Sequence, residues 1–227
     1  MRVAWKAERA GAEPGLWCYR VDTRRFVSGG ALSDGGGLIG WVEKNFKVTR
    51  EVELQAARMK PDSHGLTFLS LFSGERGPGW SDVSNGVIAG LSIATGPAEV
   101  LRAAMESVAL RFALISEKMS GTSSEDARIV ASGGGLINSS AWVGIMADTL
   151  GRTIEVPQVE EASSRGAALL ALESLGYLGS GDGKFLPAGD ARIVEPDAEA
   201  HEVYRKALIR HKDLYRAMIE DAPGKPG

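Results

Sequence analysis

One stretch of the chain combines residue types that suit contact with a nucleotide or phosphate: Ile129-Val130-Ala131-Ser132-Gly133-Gly134-Gly135-Leu136-Ile137-Asn138-Ser139-Ser140. A β-branched strand pattern runs into three glycines, and a helix pattern begins just beyond. Three adjacent residues without Cβ let another molecule lie against the backbone. The start of the helix supplies unpaired N–H groups and a partial positive charge. That combination attracts phosphate. A glycine-rich turn that merely connects two elements has the same composition, so local chemistry leaves both readings open.

A second candidate is the loop Ser73-Gly74-Glu75-Arg76-Gly77-Pro78. The Arg76 guanidinium could grip a carboxylate or phosphate through two parallel bonds. It could equally pair with Glu75 or Asp82 and only order the loop. Phosphoryl transfer needs phosphate donors, Mg²⁺ ligands and often a carboxylate base. The glycines supply the first, and no carboxylate stands in a setting that marks it as the base. Asp34 is read as the N-cap of a following helix in preference to a catalytic acid. His64, His201 and His211 have no ligand-type neighbour at metal spacing, and His211 falls on an apolar helical stripe. Neither a Gly-x-Ser-x-Gly elbow nor a phosphate-loop lysine occurs.

These residues need a scaffold. Met1–Trp5, Leu16–Val21 and Arg25–Val27 read as strands of an antiparallel meander. Leu38, Trp41, Val42 and Phe46 share one face of a helix starting near Ser33 or Asp34. Thr49–Met59 reads as a short polar helix, and Leu66–Phe72 as a buried apolar run. Gly96 and Pro97 open the clearest helix, with Leu101, Met105, Val108, Phe112 and Ile115 as its stripe. A strand over Arg128–Ala131 enters the glycines, and the next helix carries Trp142, Ile145, Met146 and Leu150 on one face, ending at Gly151. Thr153–Val156 is a strand, an alanine-rich helix runs from Ser163 or Ser164 to Leu175, and Gly179–Asp190 is a polar loop. The last helix holds Tyr204, Leu208, His211, Tyr215 and Met218. The order predicts an α/β protein with a mixed sheet flanked by helices.

Composition agrees with a globular protein: 44% hydrophobic, 24% charged and a net charge of −3. The mild acidity argues against nucleic acid as a main partner. No apolar run is long enough to span a bilayer, and Met1–Lys6 lacks a signal-peptide core, so neither a membrane nor export is expected. The single cysteine, Cys18, excludes an intrachain disulfide and is read as a buried apolar filler. A cytoplasmic location is the expectation.

Four segments in order resemble the FGGY carbohydrate kinases. Leu69–Trp80 resembles a family loop, and Gly86–Ser92 with Glu99–Glu106 its second signature. Ser132–Gly135 with Ala147–Arg152 resembles the adenosine motif, and Val156–Ala168 the segment beyond it. The run Ser28–Gly36, followed by Trp41, is most similar to the gluconokinase branch. Glycerol-kinase relatives carry a glutamine where this chain has Gly40, and the family an arginine where it has Asn85.

The resemblance implies the second, RNase H-like domain of an actin-like ATPase, spanning residues 1–220 with a disordered tail over 221–227. It implies ATP and Mg²⁺ as cofactors and a small sugar or sugar acid, gluconate by preference, as substrate. Gly36, Gly133, Gly134, Gly135 and Asn138 would contact the nucleotide, and Glu75 and Arg76 would belong to a substrate loop. The family's N-terminal domain, its aspartate base and a Gly-Thr-Ser-Gly hairpin have no counterpart in the sequence. No catalytic or metal-binding residue is therefore assigned. The central first strand of the sheet is expected to be missing, which would leave the isolated chain marginally stable and inactive. The alternatives are half of a split kinase, partnered by a separate N-terminal domain, and a non-catalytic remnant or interaction module.

Overall fold

The computed structural model describes residues 1–9, 11, 13–81, 84–121, 127–134, 138–157, 161–179 and 191–221. The predicted meander forms as β1 (Arg2–Lys6), β2 (Trp17–Arg20) and β3 (Arg25–Gly29), an antiparallel sheet ordered β1-β3-β2. The Asp22 carboxylate makes the last turn, accepting from the Arg24 and Arg25 N–H groups at 2.8 and 2.7 Å. Aspartate suits this position because its short side chain bonds backbone two and three residues on. Cys18 sits in β2, half-buried and reduced, so it fills space less completely than the sequence suggested.

Helices α1 (Gly36–Asn45) and α2 (Arg50–Arg58) follow. Thr49 caps α2, its Oγ1 accepting from the Val52 N–H at 3.4 Å, and Glu51 and Glu53 favour the positive end of the helix. Strands β4 (Thr67–Leu69) and β5 (Val87–Ala89) pair antiparallel and frame the loop between them. The long helix α3 (Pro97–Met119) starts where predicted. The Gly96 N–H donates to Glu99 Oε2 at 3.0 Å, and Pro97 loses no helical bond at this position.

The rest of the chain comprises β6 (Ile129–Val130), α4 (Ser140–Leu150), β7 (Ile154–Pro157), α5 (Ala162–Ser174), β8 (Ala191–Val194) and α6 (Ala198–Tyr215), which runs into a π-helical turn at Arg216–Glu220. In the second sheet β6 lies parallel to β7, and β8 antiparallel to it. Gly151 ends α4 in the left-handed conformation, φ 61°, as its position implied.

The expected mixed sheet is thus present in two halves, each of three strands. A groove of about 450 Å³ lies between them, lined by Met1–Val3 of the first half and Ala127–Ser132 of the second. Helix α3 underlies both halves. Its Ile115 and Met119 pack with Leu16, Val3 and Phe112 under the meander. Its N-terminal half joins Leu38, Phe68, Trp142, Val143 and Ile154 in the main core. Each fully buried side chain of this size contributes about 1.5–3 kcal/mol through removal from water.

Several expectations change. Asp34 does not cap α1: the N-cap is Gly35, and no side chain bonds the helix end. Trp41 is 37% exposed, because α1 turns Leu38 and Val42 inward and leaves Trp41 at its rim, its ring tilted against Phe72 with centroids 4.6 Å apart. Helix α3 is buried well beyond its apolar stripe, including Arg102, Glu106, Ser107 and Arg111. Strand β8 had no clear sequence signal, being short and largely exposed. The π turn shifts the register after Tyr215, so Ile219 is buried in place of the predicted Met218. The polar loop beyond Gly179 and the tail beyond Asp221 lie outside the described residues, as do Asp82 and Gly135.

Candidate nucleotide and substrate site

Strand β6 ends at Val130, and Ala131 still pairs with β7 through its N–H to the Glu155 carbonyl at 2.8 Å. The chain then leaves the sheet at Ser132. Gly133 takes φ 107°, a conformation side chains avoid, so the glycine is required there by the backbone. Gly133 and Gly134 are exposed. A Cβ at Gly133 would meet nothing within 4 Å, and one at Gly134 only Asn138 Nδ2 at 3.9 Å. The Asn138 N–H donates to the Gly134 carbonyl at 3.1 Å, and the Asn138 side chain is exposed beside that glycine.

The second glycine segment opens α1. Gly36 is the first residue of that helix, and its first turn has no acidic residue. Added Cβ atoms at Gly35, Gly36, Gly37 and Gly40 would all stand in open space. The free end of a ten-residue helix therefore meets solvent with uncapped N–H groups. Gly35 lines the same groove as Ala131 and Ser132. The fold thus brings together the two segments that the sequence separates by about a hundred residues.

The carboxylate next to this helix end is occupied. Asp34 is 6% exposed, and its two oxygens accept from the Ser73 N–H at 2.9 Å and the Ser73 hydroxyl at 2.8 Å. Its role is to tie the loop after β4 to the start of α1, which neither the cap nor the acid reading anticipated.

That loop is fastened at further points. The Gly77 N–H donates to the Ala31 carbonyl at 3.0 Å, and the Trp80 indole to the Gly15 carbonyl at 2.9 Å. Glu75 is buried, accepting from Arg111, from the Tyr215 hydroxyl at 2.5 Å and from the Gly79 N–H at 3.2 Å. Burial and the adjacent Glu75 carboxylate push the Tyr215 hydroxyl pKa up. Glu75 therefore acts as the buried anchor of the loop. Arg76 points away from it, exposed and with no ion pair among the described residues. Of the two loop residues singled out from the sequence, Arg76 alone is exposed; Asp82, the partner the sequence also offered it, lies outside the described residues.

A second charged cluster lies inside the core. Glu106 accepts from Arg102 Nε at 2.5 Å and the Tyr204 hydroxyl at 3.0 Å, and its Oε2 lies 3.0 Å from His64 Nε2. Burial opposes its charged form, but the His64 and Arg102 partners outweigh that and hold the carboxyl below the usual range. Asp62, His64 and Glu106 have the spacing of a metal site. Arg102, however, already occupies Glu106, and Arg210 binds Asp62. The cluster is a buried junction between α3, α6 and the Lys60–Gly65 turn. Sequence reasoning missed it because its charged members look like the solvated face of α3.

The glycine segments, the pinned loop and the helical support together form one wall of an open groove. Residues 12–175 match the C-terminal domain of the FGGY family of carbohydrate kinases, and the chain belongs to that family. The chain is 29% identical over 221 residues to the gluconokinase of Bacillus licheniformis, covering 89% of this chain and 42% of that protein. Its structure superposes on the ligand-bound xylulose kinase of Lactobacillus acidophilus with a TM-score of 0.83 at 21% identity, over 97% of this chain and 46% of that one. It also superposes on the glycerol kinase of Plasmodium falciparum with ADP, with a TM-score of 0.74 at 21% identity, over 92% and 43% of the two chains. The two structural likenesses establish the actin-like fold. The chain spans less than half the length of the gluconokinase it matches.

Proposed function

We propose that the chain forms the nucleotide-side wall of an ATP-dependent carbohydrate kinase acting on the terminal hydroxyl of a sugar or sugar acid. The observation that carries this reading is that one groove is lined both by Gly35, which leads into the open glycines of α1, and by Ala131 and Ser132, which lead into the open Gly133 and Gly134. Gly36 and the α1 N-terminus would receive phosphate, using backbone N–H groups and the helix field. Gly133, Gly134, Gly135 and Asn138 would flank the adenosine. The likeness to the Plasmodium falciparum glycerol kinase, whose structure was determined with ADP, is consistent with this assignment.

When bound, ATP supplies the γ-phosphoryl group: the sugar oxygen bonds to γ-phosphorus, the bond to the β–γ bridging oxygen breaks, and ADP departs. The hydroxyl proton needs a base. Asp34 has both oxygens bonded to Ser73. Glu75 is committed to Arg111 and Tyr215. The base is therefore assigned to a companion N-terminal half. The Asp62–His64–Glu106 cluster gives Mg²⁺ no seat, since arginines already occupy its carboxylates. Arg76 remains available for a sugar-acid carboxylate, which keeps gluconate a substrate candidate beside xylulose and glycerol.

The test is ATP-dependent phosphorylation of gluconate, xylulose and glycerol by the purified chain. The assay is run alone and with the portion of the Bacillus licheniformis gluconokinase that precedes the matched region. Turnover only in the mixture is expected. Robust turnover by the chain alone would refute the assignment of the base.

A further inference from the structure

Asn85 is the only asparagine of the chain that stands directly before a glycine. The Asn85–Gly86 pair ends the loop that leads from β4 into β5. Asn85 is exposed, and no hydrogen bond holds its carboxamide or the Gly86 N–H among the described residues. The side-chain carbon Cγ and the next backbone nitrogen are therefore both free to meet. With no Cβ on Gly86 that nitrogen is unhindered, and the backbone can turn it toward Cγ. The fold does not let a bulkier residue blunt this reactivity. A Cβ at Gly86 would lie 2.3 Å from the Phe72 ring, which itself packs against Trp41 and Phe68. The other two asparagines differ. Asn45 lies in α1, its Nδ2 donates to the Trp41 carbonyl at 2.8 Å, and the Phe46 N–H after it donates to the Val42 carbonyl at 2.9 Å. Asn138 precedes Ser139, whose side chain crowds the nitrogen.

We propose that Asn85–Gly86 is a site of intramolecular deamidation, and that the modification re-hangs the loop at its β5 end. The Gly86 nitrogen bonds to Asn85 Cγ, the Cγ–Nδ2 bond breaks, and the Gly86 proton leaves with the amide nitrogen as ammonia. Water then opens the cyclic imide at either carbonyl. Opening at one carbonyl gives aspartate in an ordinary chain. Opening at the other gives isoaspartate, in which the main chain runs through Cβ and is one methylene longer. Water is the only co-reactant, and nothing is oxidised or reduced. Either product takes the net charge from −3 to −4, because one neutral amide becomes one carboxylate. The lengthened product falls directly ahead of the Gly86–Phe72 contact and the pairing of Val87 with Leu69. It loosens that end of the loop while the Glu75–Arg111 pair holds the other.

The experiment is incubation of the purified chain at about pH 8 and about 37 °C, folded and in concentrated urea, followed by tryptic mass mapping. Asn85 is the only asparagine of the fragment Gly77–Arg102, so a mass gain in that fragment reports this site alone. In the folded chain Asn85 should convert at least about tenfold faster than Asn45 and Asn138, and within about tenfold of its own rate in urea. Asn85→Gln, which sets the carboxamide one carbon farther from the backbone, should leave the fragment mass unchanged over the same time and the melting temperature within a few degrees. The isoaspartyl form, isolated by ion exchange, should exchange its β5 amides at least about tenfold faster than Asn85→Asp, which has the same charge without the added methylene. Asn85 that stays intact in the folded chain while it converts in urea would overturn the proposal, by showing that the fold holds Cγ away from the nitrogen. Equal exchange of β5 in the isoaspartyl form and in Asn85→Asp would overturn the re-hanging of the loop.

Discussion

Arg111 on α3 is ion-paired with Glu75 in the loop after β4, and both side chains are almost wholly buried, 3% and 1% exposed. The pair fastens this loop to the central helix from beneath, and the Tyr215 ring lies 5.5 Å from the same guanidinium. A buried pair of this kind is costly to break because the surviving charge has no solvent. Glu75→Gln and Arg111→Met should each destabilise the chain by about 3–5 kcal/mol. The double variant should lose less than the sum of the two. Urea titrations of the four proteins measure the coupling, and additive losses would show that the pair is not a unit.

His211 gives the protein an acid-sensitive point. It is fully buried in α6, and neither ring nitrogen has a hydrogen-bond partner among the described residues. Burial first, then the nearby Arg111 and Arg210 charges, lower its pKa from 6.5 to about 3. The folded state thus keeps the ring neutral while the unfolded chain takes up a proton below pH 6.5. Stability from this group is complete above that pH and falls as pH drops toward 3. Between pH 7 and 5.5 the loss should be roughly 1.2 kcal/mol from linkage. His211→Leu should remove that increment. Glu106, whose pKa is held low, adds a further loss only below its ordinary range. Equal slopes for wild type and His211→Leu from pH 7 to 5.5 would contradict this account.

Gly36 separates stability from ligand binding. An aspartate there would meet no neighbouring atom within 4 Å and would complement the positive end of α1. Gly36→Asp should leave the melting temperature equal or higher. The same charge would repel phosphate, so ADP affinity, read by calorimetry, should drop at least about tenfold, or 1.4 kcal/mol. Unchanged affinity would remove the α1 end from the nucleotide site.

Gly151 is the structural counterpart. An added Cβ would lie 2.6 Å from His201 Cε1, and its φ of 61° already disfavours a side chain. His201 cannot yield freely, since its Nδ1 lies 2.8 Å from the Asp148 carbonyl oxygen. Gly151→Ala should cost at least about 1–2 kcal/mol in denaturant melts, from backbone conformation alone.

Much of the scaffold was legible because local signals and tertiary need coincide. Gly96-Pro97, Thr49 and Gly151 mark helix ends by backbone chemistry that operates without knowledge of the fold. The glycine segments were legible for the same reason. What escaped depends on neighbours distant in sequence. Arg102, Glu106 and Arg111 look like a wet helix face until α2, α4 and α6 close around α3. Asp34 has the composition and position of a cap, yet Ser73, thirty-nine residues on, takes both its oxygens. Glu75 and Arg76 are adjacent in sequence, and only the position of Arg111 decides which turns inward.

Helix α3 has a mechanical consequence. At about 1.5 Å per residue its twenty-three residues form a rod roughly 34 Å long. One end is wedged under the meander, where Gly30 offers no side chain between its backbone and Ile115. Toward the other end the Trp142 indole donates to the Met105 carbonyl at 3.1 Å and clamps α4. Both walls of the groove are mounted on this one beam. Displacing α3 at either end would therefore carry both walls of the groove together, so neither wall can shift by itself without breaking its seat on the helix.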